Sequence, residues 1–69
     1  MEKLRYAAEM VLNFMEHLVL QKANLREDWP VWKAFILATF RSAPVVRAAL
    51  ELSRDIYASE LYVLAKESD

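Results

Sequence analysis

The most constraining feature of this sequence is a segment, residues 29–40, that has almost no polar side chains. It reads Trp-Pro-Val-Trp-Lys-Ala-Phe-Ile-Leu-Ala-Thr-Phe, so Lys33 and Thr39 are its only polar residues. A helix that is apolar on nearly every side must be covered by other elements or by a partner. This segment therefore constrains both how the chain packs and how it associates.

The small size of the chain limits how it can be stabilised. Its 69 residues predict one domain, residues 1–69, and a domain of this size buries only about 60% of the surface of its unfolded chain. There is no cysteine and only one histidine, so disulfides and a Cys/His zinc site are excluded as stabilisers. The hydrophobic content of 57% exceeds the usual 45–50% (roughly), so we predict stabilisation by oligomerisation.

Charge and hydropathy exclude several classes of partner. Nine Lys and Arg balance ten Asp and Glu, so no net field attracts nucleic acid or anionic lipid. Polar residues interrupt the amino-terminal apolar segment, and no run reaches the ~20 apolar residues of a membrane span. We therefore predict a soluble, cytoplasmic protein that binds no nucleic acid and does not insert stably into membranes.

The pattern of helix formers and prolines predicts an all-α fold. Glycine is absent, and Pro30 and Pro44 each follow an N-cap candidate, Asp28 and Ser42, closely enough to mark helix starts. We predict a compact three-helix domain, completed by oligomerisation, with helices at about residues 2–24, 29–41 and 43–66.

Apolar residues recur at helical spacing on the first and third predicted helices. The first helix has one broad apolar face, with Glu9 and Glu16 among the residues on the opposite side. The third helix carries two neighbouring stripes: Val45, Ala49, Leu52, Ile56, Ser59 and Val63, and then Val46, Leu50, Tyr57, Leu61 and Leu64. Two stripes predict two neighbours, one in the same chain and the other available in a second subunit.

Aromatic residues of the second predicted helix are the strongest candidates for a binding surface. Large aromatic side chains dominate both small cores and interface hot spots, so core and interface remain alternatives for them. We predict the interface anchors Trp29, Trp32, Phe35, Ile36 and Phe40. The charged series Arg47, Glu51 and Arg54 is explained by ordinary helix-surface pairs or by a polar interface rim, and we predict the rim.

The titratable residues give little sign of catalysis or metal binding. His17 is the only histidine, and its helical neighbours include no carboxylate placed to orient the ring. Glu51 and Asp55 share one helix face, but two arginines lie on the same side. A basic patch with Trp29 and Trp32 as stacking platforms is the nucleic-acid alternative, which the charge balance opposes. We predict no catalytic residue, metal or cofactor.

Several motifs together resemble a helical region of uncharacterised small bacterial proteins, in which a transmembrane segment often precedes this region. The motifs are Phe14-x-Glu16-His17, Trp29-x-x-Trp32, Phe40, Ser42-x-Pro44-x-x-Arg47 and Tyr57. The resemblance brings no activity or catalytic residue. This sequence lacks the membrane segment, so membrane attachment is not carried over.

These observations predict a non-enzymatic interaction module that self-associates, as a homodimer, through the Trp- and Phe-rich second helix. One alternative is a small adaptor or inhibitor, of phage or toxin–antitoxin type, that binds a different protein. Another is a helical metal-binding protein or enzyme that uses His17, Glu16 or the pair of Glu51 and Asp55.

Overall fold

The fold is built from helices, as the residue composition predicts. The computed structural model describes residues 2–53 and 56–68, and none of these lies in a strand. The helical elements are α1 (Glu2–Leu20), a single turn α2 (Lys22–Leu25), a 3-10 turn (Arg26–Asp28), α3 (Trp29–Ser42), α4 (Pro44–Leu52) and α5 (Ser59–Glu67). The radius of gyration is 11.5 Å, close to the ~11 Å of a compact chain of this length. The all-α prediction is therefore confirmed.

Both prolines lie in the first turn of a helix, as predicted. Pro30 follows the first residue of α3, and Pro44 begins α4. N–H groups in the first turn of a helix have no intrahelical acceptor. Proline, which lacks an N–H, therefore loses no hydrogen bond there. Asp28 occupies the predicted N-cap position of α3, but its side chain makes no capping bond. The predicted Ser42 cap is wrong, because Ala43 is the N-cap of α4 and the Ser42 hydroxyl donates back to the Ala38 carbonyl at 2.8 Å.

The first predicted helix ends earlier than residue 24. At Gln21 the backbone leaves regular helix geometry, and its N–H is shared between the carbonyls of His17 (3.0 Å) and Leu18 (3.2 Å). After the short α2, Arg26 takes a positive φ of 47° with ψ of −109°. That conformation suits glycine and is strained for any residue with a Cβ. The turn into α3 is thus made by an arginine.

The third predicted helix, residues 43–66, is interrupted, so the three-helix count is not confirmed. Helix α4 ends at Leu52, and α5 starts at Ser59 after Ala58 takes an extended conformation. The Ala58 N–H donates to the Glu16 carboxylate of α1 at 2.7 Å, and the Tyr62 hydroxyl donates to the Ser53 carbonyl at 2.6 Å. These hydrogen bonds between distant residues stabilise the break between α4 and α5. A continuous helix would instead have used bonds between residues four apart.

The core lies where α1, α3, α4 and α5 meet. Helix α1 packs mainly against α4, while α3 contacts both α4 and α5. The largest fully buried side chains are Phe40, Leu12, Met15, Ile36, Leu50 and Leu61. Of the two stripes predicted on the third helix, the one containing Val46 and Leu64 is buried in this core, except for the half-buried Tyr57. The other remains exposed at Val45, Leu52, Ile56 and Val63.

Two arginines close the carboxyl end of α5. The Arg47 guanidinium donates to the Ala65 carbonyl and to the Ser68 hydroxyl, and Arg41 Nε donates to the Ser68 carbonyl at 3.0 Å. Ser68 is only 3% exposed. Carbonyl groups at a helix end lack intrahelical partners, and cations there also favour the helix dipole. These bonds attach the end of α5 to α3 and α4.

Replacing Arg47 should therefore destabilise the fold. We expect Arg47→Ala to lower the free energy of unfolding by about 2 kcal/mol, since hydrogen bonds from a charged donor contribute roughly 1.5–3 kcal/mol. Lys33→Ala is the control, because it removes the more exposed ion pair with Glu67 (3.1 Å), worth under about 1 kcal/mol. Urea unfolding followed by circular dichroism measures both. Equal losses would contradict a special role for Arg47.

Glycine should relieve the strained turn before α3. We expect Arg26→Gly to raise the free energy of unfolding by about 1 kcal/mol, because the relieved strain exceeds the added entropy of the unfolded chain. Arg26→Ala keeps the strain and removes the same side chain, so it should give no gain. The same urea titration compares the two variants. If both raise the free energy of unfolding, the stabilisation comes from loss of the arginine side chain and not from relief of backbone strain.

Candidate protein-interaction surface

Three aromatic rings bridge α1 and α3 at the surface. Phe14 lies 6.2 Å from both Trp32 and Phe35, centroid to centroid, and Trp32 lies 6.0 Å from Phe35. The interplanar angles are 77°, 82° and 85°, so every pair is edge-to-face. This arrangement sets the positive ring edge against the negative ring face. We call Phe14, Trp32 and Phe35 the aromatic trio.

The aromatic trio is only partly covered by its own chain. Phe14 is 48% exposed and Phe35 43% exposed, and Trp32 is half-buried against the edge of the core. Large aromatic side chains in a core are usually covered, whereas interface anchors present one side to the solvent in the free subunit. The trio therefore belongs to the surface as well as to the packing between α1 and α3.

The other predicted anchors have different surroundings. Ile36 and Phe40 lie fully in the core, so this chain already covers their side chains. Trp29 is half-buried, with the Lys22 ammonium 5.4 Å from its ring centroid and that same ammonium 2.8 Å from Glu60. Among the predicted anchors, Trp32 and Phe35 are thus the two that the structure joins in one aromatic cluster.

Exposed apolar residues extend from the aromatic trio along both helices. On α1, Tyr6 and Met10 precede Phe14 at intervals of four residues and are 66% and 70% exposed. On α3, Val31 precedes Phe35 by four residues and is 68% exposed. Side chains four apart share one side of a helix. We define the apolar face as Tyr6, Met10, Phe14, Val31, Trp32, Ala34, Phe35 and Ala38.

The predicted rim lies in a different part of the molecule. Arg47 and Glu51 line a depression of about 120 Å³ between α4 and α5, together with Leu50, Tyr62, Ala65 and Lys66. Pockets for drug-sized ligands usually enclose about 300–1,000 Å³, so this depression is too small for such a ligand. Arg54 lies outside the described residues. Arg47 is engaged at the end of α5, whereas Glu51 is exposed.

The residues considered for catalysis or metal binding are dispersed in the described part of the chain. Residues 2–53 and 56–68 contain no group of three His, Cys, Asp or Glu side chains that could hold an ion. His17 is exposed, and Asp55 lies outside the described residues. Burial raises the pKa of Tyr57 above its ordinary value, with further contributions from nearby Glu9 and Glu16. Tyr57 therefore stays protonated near neutral pH and is no base there.

The contribution of α1 to this face was missed by our sequence analysis. The sequence predicts one broad apolar face for the first helix, and Phe14 is not among the predicted interface anchors. Tyr6, Met10 and Phe14 recur every four residues, which was a usable signal for a second apolar line on this helix. The position of α4, the main neighbour of α1, decides which apolar line of α1 is buried and which is exposed.

No family model, curated protein or solved structure matches this chain. The resemblance to small bacterial proteins therefore stays a prediction. Among the described helices, none combines the length and the hydropathy needed to cross a membrane.

The aromatic trio should contribute coupled stability. In a double-mutant cycle of Phe14→Leu and Phe35→Leu, we expect a coupling energy of about 0.5–1.5 kcal/mol, because each substitution removes the same ring contact. As a control, Phe14→Leu combined with Val63→Ala on α5 should be additive. Urea unfolding at one low protein concentration measures both cycles. Additivity in the first cycle would mean that the ring contact contributes nothing.

Proposed function

We propose that this chain is a non-enzymatic protein-interaction module that forms a homodimer through the apolar face. The single observation that carries the proposal is the half-exposed aromatic trio at the centre of that face. Edge-to-face packing holds the three rings in place before a partner arrives. Rigid aromatic anchors lose little conformational entropy on binding, so they are effective interface residues.

The extent of the apolar face supports an interface. Tyr6, Met10, Phe14, Val31 and Phe35 are each 43–70% exposed. With side chains of this size, that corresponds to apolar surface on the order of 500 Å² per subunit. The largest apolar patch on a typical monomer covers roughly 300–600 Å², and a standard interface buries about 800 Å² per partner. The apolar face alone therefore supplies more than half of the area that a standard interface buries on each partner.

The composition of the apolar face also supports this proposal. Its eight residues include no charged side chain. Depletion of charge with enrichment of aromatic residues and Met distinguishes the centre of an interface from ordinary surface. A different protein could use the same face, which is the adaptor or inhibitor alternative. We favour a second copy because the ends of α3 carry complementary charges, as argued below.

A matched pair of substitutions tests the proposal. Val31 on the apolar face and Val63 on α5 are 68% and 59% exposed, so an aspartate at either position is solvated in the monomer. We expect wild-type protein to sediment at twice the monomer mass at micromolar concentration. Val31→Asp should sediment as a folded monomer, because dimerisation would bury its charge, whereas Val63→Asp should remain a dimer.

The outcomes separate the hypotheses. If the wild-type protein is a monomer at high concentration, self-association is contradicted. The adaptor or inhibitor alternative, in which the apolar face binds a different protein, is then favoured. Dissociation by Val63→Asp and not by Val31→Asp would place the interface on α5 and refute the proposed surface. Circular dichroism of each variant, with helical content equal to wild type, ensures that loss of dimer is not loss of fold.

A further inference from the structure

We propose that the two subunits pair through antiparallel α3 helices, with the two-fold axis passing between Ala34 and Phe35. This inference rests on the proposed homodimer and specifies its geometry. In a two-fold dimer, one surface meets its own copy, so every contact from one subunit to the other occurs twice. The outer side of α3 must therefore be complementary to itself when reversed.

The apolar residues of α3 meet this requirement in size. The exposed members are Val31, Ala34, Phe35 and Ala38, and their midpoint falls between Ala34 and Phe35. Reversal about that midpoint sets Val31 opposite the partner's Ala38 and Phe35 opposite the partner's Ala34. Each larger side chain then faces a smaller one, which allows two helix surfaces to interdigitate at an axis separation of about 8–10 Å.

The charges at the ends of α3 meet the same requirement. Asp28 and Arg41 are both exposed and lie at equal distances on either side of the same midpoint. Asp28 has helical dihedral angles (φ −81°, ψ −15°), so it continues the geometry of α3. Antiparallel pairing sets Asp28 at the same height as the partner's Arg41 at both ends. The two residues leave α3 on flanks about 140° apart, and the long arginine side chain spans the contact between them. Parallel pairing would instead set carboxylate against carboxylate and guanidinium against guanidinium.

Arg41 keeps donors for this contact while it caps α5. Its Nε bond to the Ser68 carbonyl uses one of the five N–H groups of the guanidinium. From Asp28 to Arg41 the helix advances roughly 20 Å, and helices that cross at about 20° stay close over that length. Both end contacts can therefore form together with the central apolar contacts.

Cysteine cross-linking tests the orientation, because the chain has no cysteine of its own. Val31→Cys and Ala38→Cys proteins, mixed under mild oxidation, should form a disulfide between position 31 and the partner's position 38. Each variant alone should cross-link poorly, since like positions would lie roughly 10 Å apart along the helix axis, beyond the Cα separation of about 4.4–6.8 Å that a disulfide spans. Non-reducing electrophoresis measures the products.

A charge exchange gives a second test. Asp28→Arg places two arginines together at each end, and we expect the dimer dissociation constant to rise about tenfold at low salt. Adding Arg41→Asp to that variant should restore wild-type affinity, because an arginine at position 28 then pairs with an aspartate at the partner's position 41 at both ends. Glu51→Arg is the matched control with the same change in net charge on α4, and it should leave the dissociation constant unchanged. Sedimentation equilibrium measures all four proteins.

Failure of this geometry is distinguishable from failure of the homodimer. If wild-type protein is a monomer, the proposed function itself fails. If wild-type protein is a dimer in which each single-cysteine variant cross-links to itself, the helices are parallel and this inference is overturned. A dimer with no cross-link in any mixture overturns it as well. If the Arg41 substitution unfolds the protein, the cysteine pair decides alone.

Discussion

The break between α4 and α5 is the constraint on which the rest of the fold depends. In this structure α5 contacts α1, α3 and α4. A continuous helix over this region would prevent α5 from contacting all three. The Glu16 carboxylate accepts the Ala58 N–H at the break, and Arg47 and Arg41 bind the far end of α5. Both ends of a nine-residue helix are thus attached to other elements. Such attachment matters because a helix this short is barely stable alone.

Helix α3 shows how one apolar segment can serve two environments. Its inner side supplies Ile36 and Phe40 to the core, and its outer side leaves Val31 and Phe35 exposed. The aromatic trio stands between these two sides and fixes α3 against α1. Lys33 lies away from Phe35 and pairs with Glu67 of α5, so its charge is directed at the chain itself. The outer side is left almost free of charge, which favours contact with another apolar surface.

The proposed dimer follows from the same asymmetry. Helices α4 and α5 pack against α3, and Phe14 of α1 adds its ring contacts, but Val31 and Phe35 stay exposed. These contacts cover the side of α3 that carries Ile36 and Phe40. In the proposed dimer, the partner's antiparallel α3 covers this exposed side. The proposed charge pairs at its ends then act mainly on orientation, as exposed ion pairs contribute little affinity.

The sequence by itself determined the helical class, the starts of α3 and α4 at the two prolines, and the apolar character of α3, because these follow from local propensity and backbone chemistry. It also predicted Trp32 and Phe35 as interface anchors, the role that we propose for them. Only the tertiary structure decided that the third predicted helix breaks, that Ile36 and Phe40 are core residues, and that Phe14 joins the aromatic trio. Each of these depends on a partner distant in sequence, such as Glu16 for Ala58. Helical periodicity identifies which residues share a side of a helix, but the packing of the other helices decides which side is buried.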